Sequence, residues 1–275
     1  MYKRQEQDLY FDGSSSVRAS WEDDRMIAEG LEHVPANDGR DKAFFYIHLM
    51  SAHLSGAKWP EFRRFEPAGV EMDLSALLRG ERPVDQAINN YDNGVLQADA
   101  VIEDVFTRLR SLGYLDHSLV VMLADHGEEL GERGRNSFGH GGSLHQESIR
   151  IPLLIYDPEP VVYRNLDVAT QIDVAPTIVD RLGLSLPSSW TGRSLLSSEH
   201  SETVVLGNGH QCGGVIHRAG PALYKYLGCG TADDDEELYD LDADPREQRN
   251  LVGRADTSPL RLMRDALRQD RTRTQ

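Results

Sequence analysis

Three features of the sequence predict an α/β fold, a largely parallel sheet flanked by helices. Apolar runs of strand length alternate with helical periods between residues 40 and 183. One of those periods continues through Ile88, Tyr91, Val95, Ala98, Ile102, Val105, Leu109 and Leu112 at spacings of 3 and 4, which is one apolar stripe on a long helix. Beyond residue 200 the texture changes to short strand-like runs in close succession, as in a small antiparallel α+β subdomain. The division this suggests is an α/β domain over residues 1–200 and a C-terminal subdomain over residues 201–275.

Taken in order, residues 1–20 are polar, and Met26, Ile27 and Leu31 predict a short helix closed by Pro35 and the turn Asn37-Asp38-Gly39. Ala43–Met50 is aromatic and apolar throughout and reads as a strand covered on both faces, with His48 satisfied in the core. Residues 51–83 mix Gly, Pro and charge and predict a long loop, a length that in compact domains is commonly functional. Pro83 suits the start of the long helix and Gly113 its stop. Ser118–Ala124 and Ile151–Tyr156 read as further buried strands, the second with Pro152 where a strand tolerates it. Asp173–Leu182 reads as a helix with Pro176 near its first turn and Gly183 after it. Four strands follow, at Val204–Leu206, Gly214–Arg218, Leu223–Leu227 and Leu238–Leu241, then a helix over Pro259–Arg268. The acidic run Asp233–Glu237 predicts a solvated loop, and the Arg-rich Arg261–Arg273 an exposed helix face.

The 275 residues carry 29 Lys and Arg against 45 Asp and Glu, a net charge of −16. That balance excludes a nucleic-acid backbone as the main partner, because its electrostatic attraction needs clustered cations. With 39% hydrophobic and 27% charged residues the chain is globular rather than disordered. No run approaches the ~18 apolar residues of a spanning helix. The first thirty residues lack the pattern of a secretory leader. Cys212 and Cys229 match no zinc or redox spacing and are expected as free thiols, a bridge being open to them only in an oxidising compartment.

Chemistry concentrates between Asp125 and Pro152. Asp125 and His126 follow the Ser118–Ala124 strand, and the carboxyl ends of strands are where α/β sheets place ligands. A carboxylate and an imidazole at adjacent positions can ligate one divalent metal. Six glycines in the 16 residues from Gly127 to Gly142 then carry the chain to His140, which lies between Gly139 and Gly141. Backbone can approach a ligand closely there.

In ordered succession these pieces resemble the sulfatases of the alkaline phosphatase superfamily. The resemblance runs through Phe44–His53, Tyr91-Asp92, Asp125-His126-Gly127-Glu128-Glu129-Leu130-Gly131-Glu132, His140-Gly141, Arg150-Ile151-Pro152-Leu153 and Ile172–Thr177. It continues through Gly192–Leu195, Leu238–Leu241, Asp244-Pro245, Glu247 and Asn250-Leu251, covering residues 20 to 253. It implies one divalent metal (Ca, Mg, Mn or Zn) with Asp125 and His126 as ligands. It implies that His140 and His53 contact the sulfate group and protonate the leaving oxygen. Ser55 stands where the family often has Pro after the second of these histidines. His126, where many sulfatases have Asn, is common in the branch that includes phosphonate monoester hydrolases and phosphodiesterases.

A family nucleophile is a Cys or Ser, converted to formylglycine, in Cys/Ser-x-Pro-Ser-Arg. Neither Cys212 nor Cys229 fits it. The expectation is therefore a C-terminal portion of a longer sulfuric ester hydrolase, inactive by itself, with formylglycine expected in the missing N-terminal segment. The substrate would be a small-molecule or glycan sulfate ester, and the compartment is left open. Two other readings are a phosphodiester or phosphonate monoester hydrolase, or a phosphoglycerol-type transferase, on the same fold, and a non-catalytic binding relative.

Overall fold

The computed structural model describes residues 23–39, 42–54, 56–69, 84–134, 137–164, 168–198, 201–207, 212–229, 236–254 and 258–273. The chain forms two compact units, one of residues 1–120 and 130–139, the other of residues 121–129 and 140–275.

In the first unit, α1 (Arg25–Glu32) is followed by a 3-10 turn at Pro60–Phe62 and by α2 (Val84–Ser111). Leu31 and Val34 pack against Val101, Val105 and Leu109 of α2, and Phe45, Ile47 and Leu49 join that cluster. The strand expected at Ala43–Met50 is not formed. The segment is irregular and alternates: Phe44 is 79% and Tyr46 80% exposed, and His48 is exposed instead of satisfied in a core. No neighbouring strand among the described residues offers it a ladder, and an extended segment lying on one layer buries only every second side chain. Its end is held by Asp24, whose carboxylate accepts the N–H groups of Met50 (2.8 Å) and Ser51 (2.7 Å).

The long helix forms as predicted, but the expected stripe holds only in its second half. In the first half the buried residues are Ala87, Asn90, Asn93, Gly94 and Gln97, while Val95 is exposed. The cause is the loop before the helix. Asn93 Oδ1 accepts from the N–H groups of Arg64 (2.9 Å) and Phe65 (3.0 Å), and its amide donates to the Phe65 carbonyl (2.9 Å). Asn90 Oδ1 accepts from Gly69 N–H at 2.9 Å. Gln97 Oε1 accepts from Trp59 N–H at 2.7 Å, and Nε2 donates to Ser51 Oγ and the Ala57 carbonyl. Buried loop backbone needs such partners where no ladder exists. His53 lies half-buried in this loop, its N–H on the Met50 carbonyl and its own carbonyl accepting from buried Lys58 at 2.8 Å. The short strands β2 (Glu129–Leu130) and β3 (Phe138–Gly139) pair with each other.

In the second unit, β1 (Val120–Leu123) pairs with β4 (Leu153–Tyr156). Leu123, Leu154 and Tyr156 are exposed, so these strands are not buried on both faces as expected. Among the described residues this sheet has these two strands, and the largely parallel sheet expected from the sequence is not shown. Helix α4 (Gln171–Arg181) opens with a reciprocal cap between Thr170 and Asp173. It starts two residues earlier than predicted, which places Pro176 in its second turn.

The predicted C-terminal strands form one antiparallel sheet in the order β5 (Thr203–Gly207), β6 (Cys212–Ala219), β7 (Ala222–Cys229), β8 (Glu236–Asp240). Its core packs Val215, Tyr226 and Leu238 against Leu260, Met263 and Leu267 of α5 (Ser258–Arg273), the helical spacing of 3 and 4. Two expectations fail here for the same reason, that strand pairing brought distant residues together. Cys212 and Cys229 are opposite one another across β6 and β7 and form a disulfide instead of free thiols. Glu236 belongs to β8 instead of a solvated loop, is buried, and pairs with Arg264, whose guanidinium holds its carboxyl below the usual carboxylate range. Residues 233–235 of that acidic run lie outside the described residues.

A second bidentate pair ties β4 to α4. Asp157 accepts from Arg181 Nε (2.6 Å) and Nη2 (2.8 Å) and from the Tyr163 hydroxyl (2.6 Å). Arg181 first of all, then Tyr163, holds the Asp157 carboxyl well below its ordinary range. A carboxyl with a lowered folded pKa contributes stability above its unfolded value of about 3.9 and loses it as pH falls through the folded value. Melting of this unit is therefore expected to decline below about pH 4. The decline should be shallower in Asp157→Asn, measured by thermal melts between about pH 2 and 6.

Candidate functional site

The site is built where the chain leaves β1. The Gln171 side chain, from the first residue of α4, donates to the carbonyls of Ala124 and Asp125. Asp125 turns its Oδ1 onto the His126 N–H at 3.0 Å. At Gly127 the chain crosses the short helix α3 (Gln146–Ile149), with its N–H on the Ser148 carbonyl at 2.8 Å. A Cβ there would stand 2.0 Å from the Glu147 carbonyl oxygen, so no residue with a side chain fits. Glu129, two residues on, accepts from the Ser148 hydroxyl at 2.7 Å.

This crossing leaves His126 and Glu128 beside His140. His126 Nδ1 lies 2.8 Å from the Gly127 carbonyl. A carbonyl only accepts, so Nδ1 carries the proton and Nε2 the lone pair. His140 sits between Gly139 and Gly141, whose φ values of 96° and 80° belong to the left-handed region that glycine tolerates. Its ring stacks on His126 at 3.8 Å between centroids, and its Nδ1 donates to Glu128 Oε2 at 3.2 Å. The Glu128 side chain is only 6% exposed. Its second oxygen, Oε1, is buried without a hydrogen-bond partner among the described residues. Burial pushes the Glu128 carboxyl above the usual range, and the hydrogen bond from His140 offsets this in part. One donor atom each from His126, Glu128 and His140 lies within 4.8 Å of the other two.

Behind the loop, its return is fastened to the antiparallel sheet. Leu144 packs with Leu227 and Tyr239. His145 Nε2 meets Glu237 Oε2 at 2.7 Å. Glu247 Oε2 accepts the Gln146 N–H at 2.9 Å, and Glu247 Oε1 pairs with Lys225 Nζ at 2.5 Å. Both side chains of that ion pair are fully buried, and Glu247 has φ 53°, a sparsely populated conformation for a residue with a side chain.

Of the residues expected from sequence, His126 and His140 are brought together, and Asp125 stands beside them. Its carboxylate is 68% exposed and its Oδ2 lies 3.6 Å from His126 Nε2. His53 lies in the first unit, in the loop before α2. Sequence reading passed over Glu128 as a member of this group, and over Glu247 as the support of the loop. For Glu128 a local signal existed: an acidic residue two positions after a ligand-type histidine, on a turn forced tight by Gly127.

A family model described as Sulfatase matches residues 1–184. Choline-sulfatase of Rhizobium meliloti (strain 1021) is 32% identical over 202 residues, 67% of this chain and 38% of that protein. N-acetylglucosamine-6-O-sulfatase of Bacteroides thetaiotaomicron is 28% identical over 186 residues, 62% of this chain and 33% of that protein. The chain thus spans little more than a third of the length of these curated relatives. A solved structure described as a complex with its substrate D-glucosamine-2-N,6-O-disulfate shares the fold at a TM-score of 0.58. It is 23% identical, over 69% of this chain and 41% of that one.

Proposed function

We propose a function from one premise, that this chain belongs to the sulfatase family: it supplies the metal-binding part of a hydrolase of sulfuric esters. The observation that carries this reading is the gathering of His126, Glu128 and His140 on the Gly-rich loop after β1. The donor set fits the divalent metal that such an enzyme uses. His126 presents an Nε2 lone pair because Nδ1 is committed to the Gly127 carbonyl, and the buried Glu128 Oε1 has no hydrogen-bond partner among the described residues. Bound there, a divalent ion would supply Lewis-acid charge for a sulfate oxygen. The chain's own part is to hold that ion's ligands still. Gly127 fixes the turn, Gln171 fixes the end of β1, and the exposed Asp125 carboxylate stands next to His126 on the solvent side.

The names of the relatives favour a small organic or amino-sugar sulfate as substrate. Cys212 and Cys229 are joined to each other, so neither serves as a nucleophile in this chain. The 275-residue chain by itself is expected to show no turnover of 4-nitrophenyl sulfate. The protein that carries it is expected to prefer that ester over bis(4-nitrophenyl) phosphate by at least ~10-fold in kcat/KM. A strong preference for the diester would replace the reading with a phosphodiester or phosphonate hydrolase, the alternative that His126 favours. Turnover of neither ester, together with absence of bound metal, would make it a binding protein.

A further inference from the structure

We propose that Ser143, His145 and Glu237 form a second chemical site, a serine nucleophile with its base and orienting carboxylate, which takes an acyl group from short-chain carboxylic esters. The proposal uses none of the residues of the function proposed above and does not rest on it. Its hydrogen bonds run in one direction. Glu237 Oε2 lies 2.7 Å from His145 Nε2, and a carboxylate only accepts, so Nε2 carries the proton of the neutral ring. Nδ1 then holds the lone pair, and it lies 2.8 Å from Ser143 Oγ. The hydroxyl therefore donates to a nitrogen able to take its proton. Oγ also accepts the His145 N–H at 3.0 Å, a fixed donor that remains in place as charge develops on the oxygen. Serine to imidazole to carboxylate is the order of an activated serine, which is recognised by geometry and not by position along the chain.

The surrounding structure holds the three in place. Leu144, between Ser143 and His145, is buried and packs with Leu227 and Tyr239, which pins both neighbours to the antiparallel sheet. His145 caps α3, its carbonyl accepting the N–H groups of Ser148 and Ile149. Glu237 and Tyr239 share a face of β8, and the Tyr239 hydroxyl donates to the same Glu237 oxygen at 2.6 Å. A contact that only fastened the loop to β8 would need the His145–Glu237 bond alone, and would have no use for a hydroxyl on the opposite ring nitrogen.

The surface sets the substrate class. The side chains of His145 and Glu237 are 18% and 33% exposed, so the relay reaches solvent. Gly141 and Gly142 before Ser143 are exposed, and a Cβ on either would meet nothing within 4 Å. An approach without a wall on that side suits a small acyl group, such as acetyl, and a planar carbonyl carbon open to addition. In the reaction a bond forms from Oγ to that carbon and the hydroxyl proton passes to Nδ1. The ester C–O bond breaks, and the alcohol leaves with the proton. Water, giving a proton to the same Nδ1, then cleaves the acyl-serine to the carboxylic acid and restores the hydroxyl.

The test uses the intact 275-residue chain with 4-nitrophenyl acetate as substrate and a fluorophosphonate as a covalent probe of activated serines. Peptide mass spectrometry should find the probe on Ser143. Ser143→Ala and His145→Gln should each lower ester turnover at least ~100-fold and abolish the label. Glu237 acts through His145, so Glu237→Gln should slow acylation at least ~10-fold and Glu237→Asp should restore most of the rate, a rescue that a merely structural role does not predict. Treatment with a metal chelator should leave the turnover unchanged. Should His145→Gln lose its fold, the unmutated chain decides the question. An acetyl group on Ser143 after an acid quench supports the proposal, and acetyl found only on lysine or histidine overturns it. The proposal also falls if Ser143 takes no label, if the label persists in folded His145→Gln, or if the chelator abolishes turnover. Turnover by Ser143→Ala within ~3-fold of the parent overturns it as well.

Discussion

Glu247→Gln is expected to destabilise the second unit by about 3–5 kcal/mol, with a fall in melting midpoint on the order of 10 °C. The ion pair between Lys225 and Glu247 is wholly buried, and neutralising one partner removes the opposite charge that the other faces at 2.5 Å in a low-dielectric interior. Glutamine keeps the size of the side chain and an oxygen for the Gln146 N–H, so the substitution isolates the loss of charge. It also keeps the left-handed backbone at position 247 as strained as before, which removes φ from the comparison. Lys225→Met should cost a similar amount. The double variant should recover at least about half of the summed loss, because two well-packed neutral side chains replace the pair. Urea or thermal unfolding of the four proteins measures this. Single variants within ~0.5 kcal/mol of the parent would show that the pair contributes nothing.

The second large effect is expected from the disulfide. Cys212 and Cys229 enclose a separation of 17 residues, for which the loop-entropy estimate is about 3 kcal/mol. Cys212→Ser/Cys229→Ser should lower the urea midpoint of the second unit accordingly. The parent in reductant should move to the same midpoint, and the double Ser variant should not respond to reductant at all. Equal midpoints for parent and variant would mean that β6 and β7 are held by their ladder and by α5 alone.

Much of the molecule was legible because its signals are local. Strands β5–β8 and helix α5 follow from alternation, turn residues and a helical spacing, and none of these requires knowledge of a distant partner. Strand β1, the turn at Gly127 and the Gly-flanked His140 are equally local, which is why His126 and His140 could be named from sequence. What failed depended on neighbours. Ala43–Met50 has the composition of a strand but no ladder partner among the described residues, so its apolar alternation is only half used. Cys212 and Cys229 are separated by a hairpin whose register decides that they face one another, and spacing rules do not contain the register. Glu128 looked like one acidic residue among several in the motif, and only the fold shows that it turns inward while Glu132 stays exposed. The ion pair under the loop joins β7 to a residue after β8, a juxtaposition with no signature along the chain.

The polar face of α2 carries a consequence for how sequence change would propagate. Asn90, Asn93 and Gln97 look, on a hydropathy scale, like surface positions of a long helix, open to replacement by Glu, Lys or Ala. They hold the course of the segment between residues 51 and 69, which among the described residues contains one short helical turn. The shape of that segment is therefore written in a different part of the gene from the segment itself. Divergence at 90, 93 or 97 would redraw the loop while every loop residue stayed the same, and a loop compared by its own residues alone would give no sign of the change.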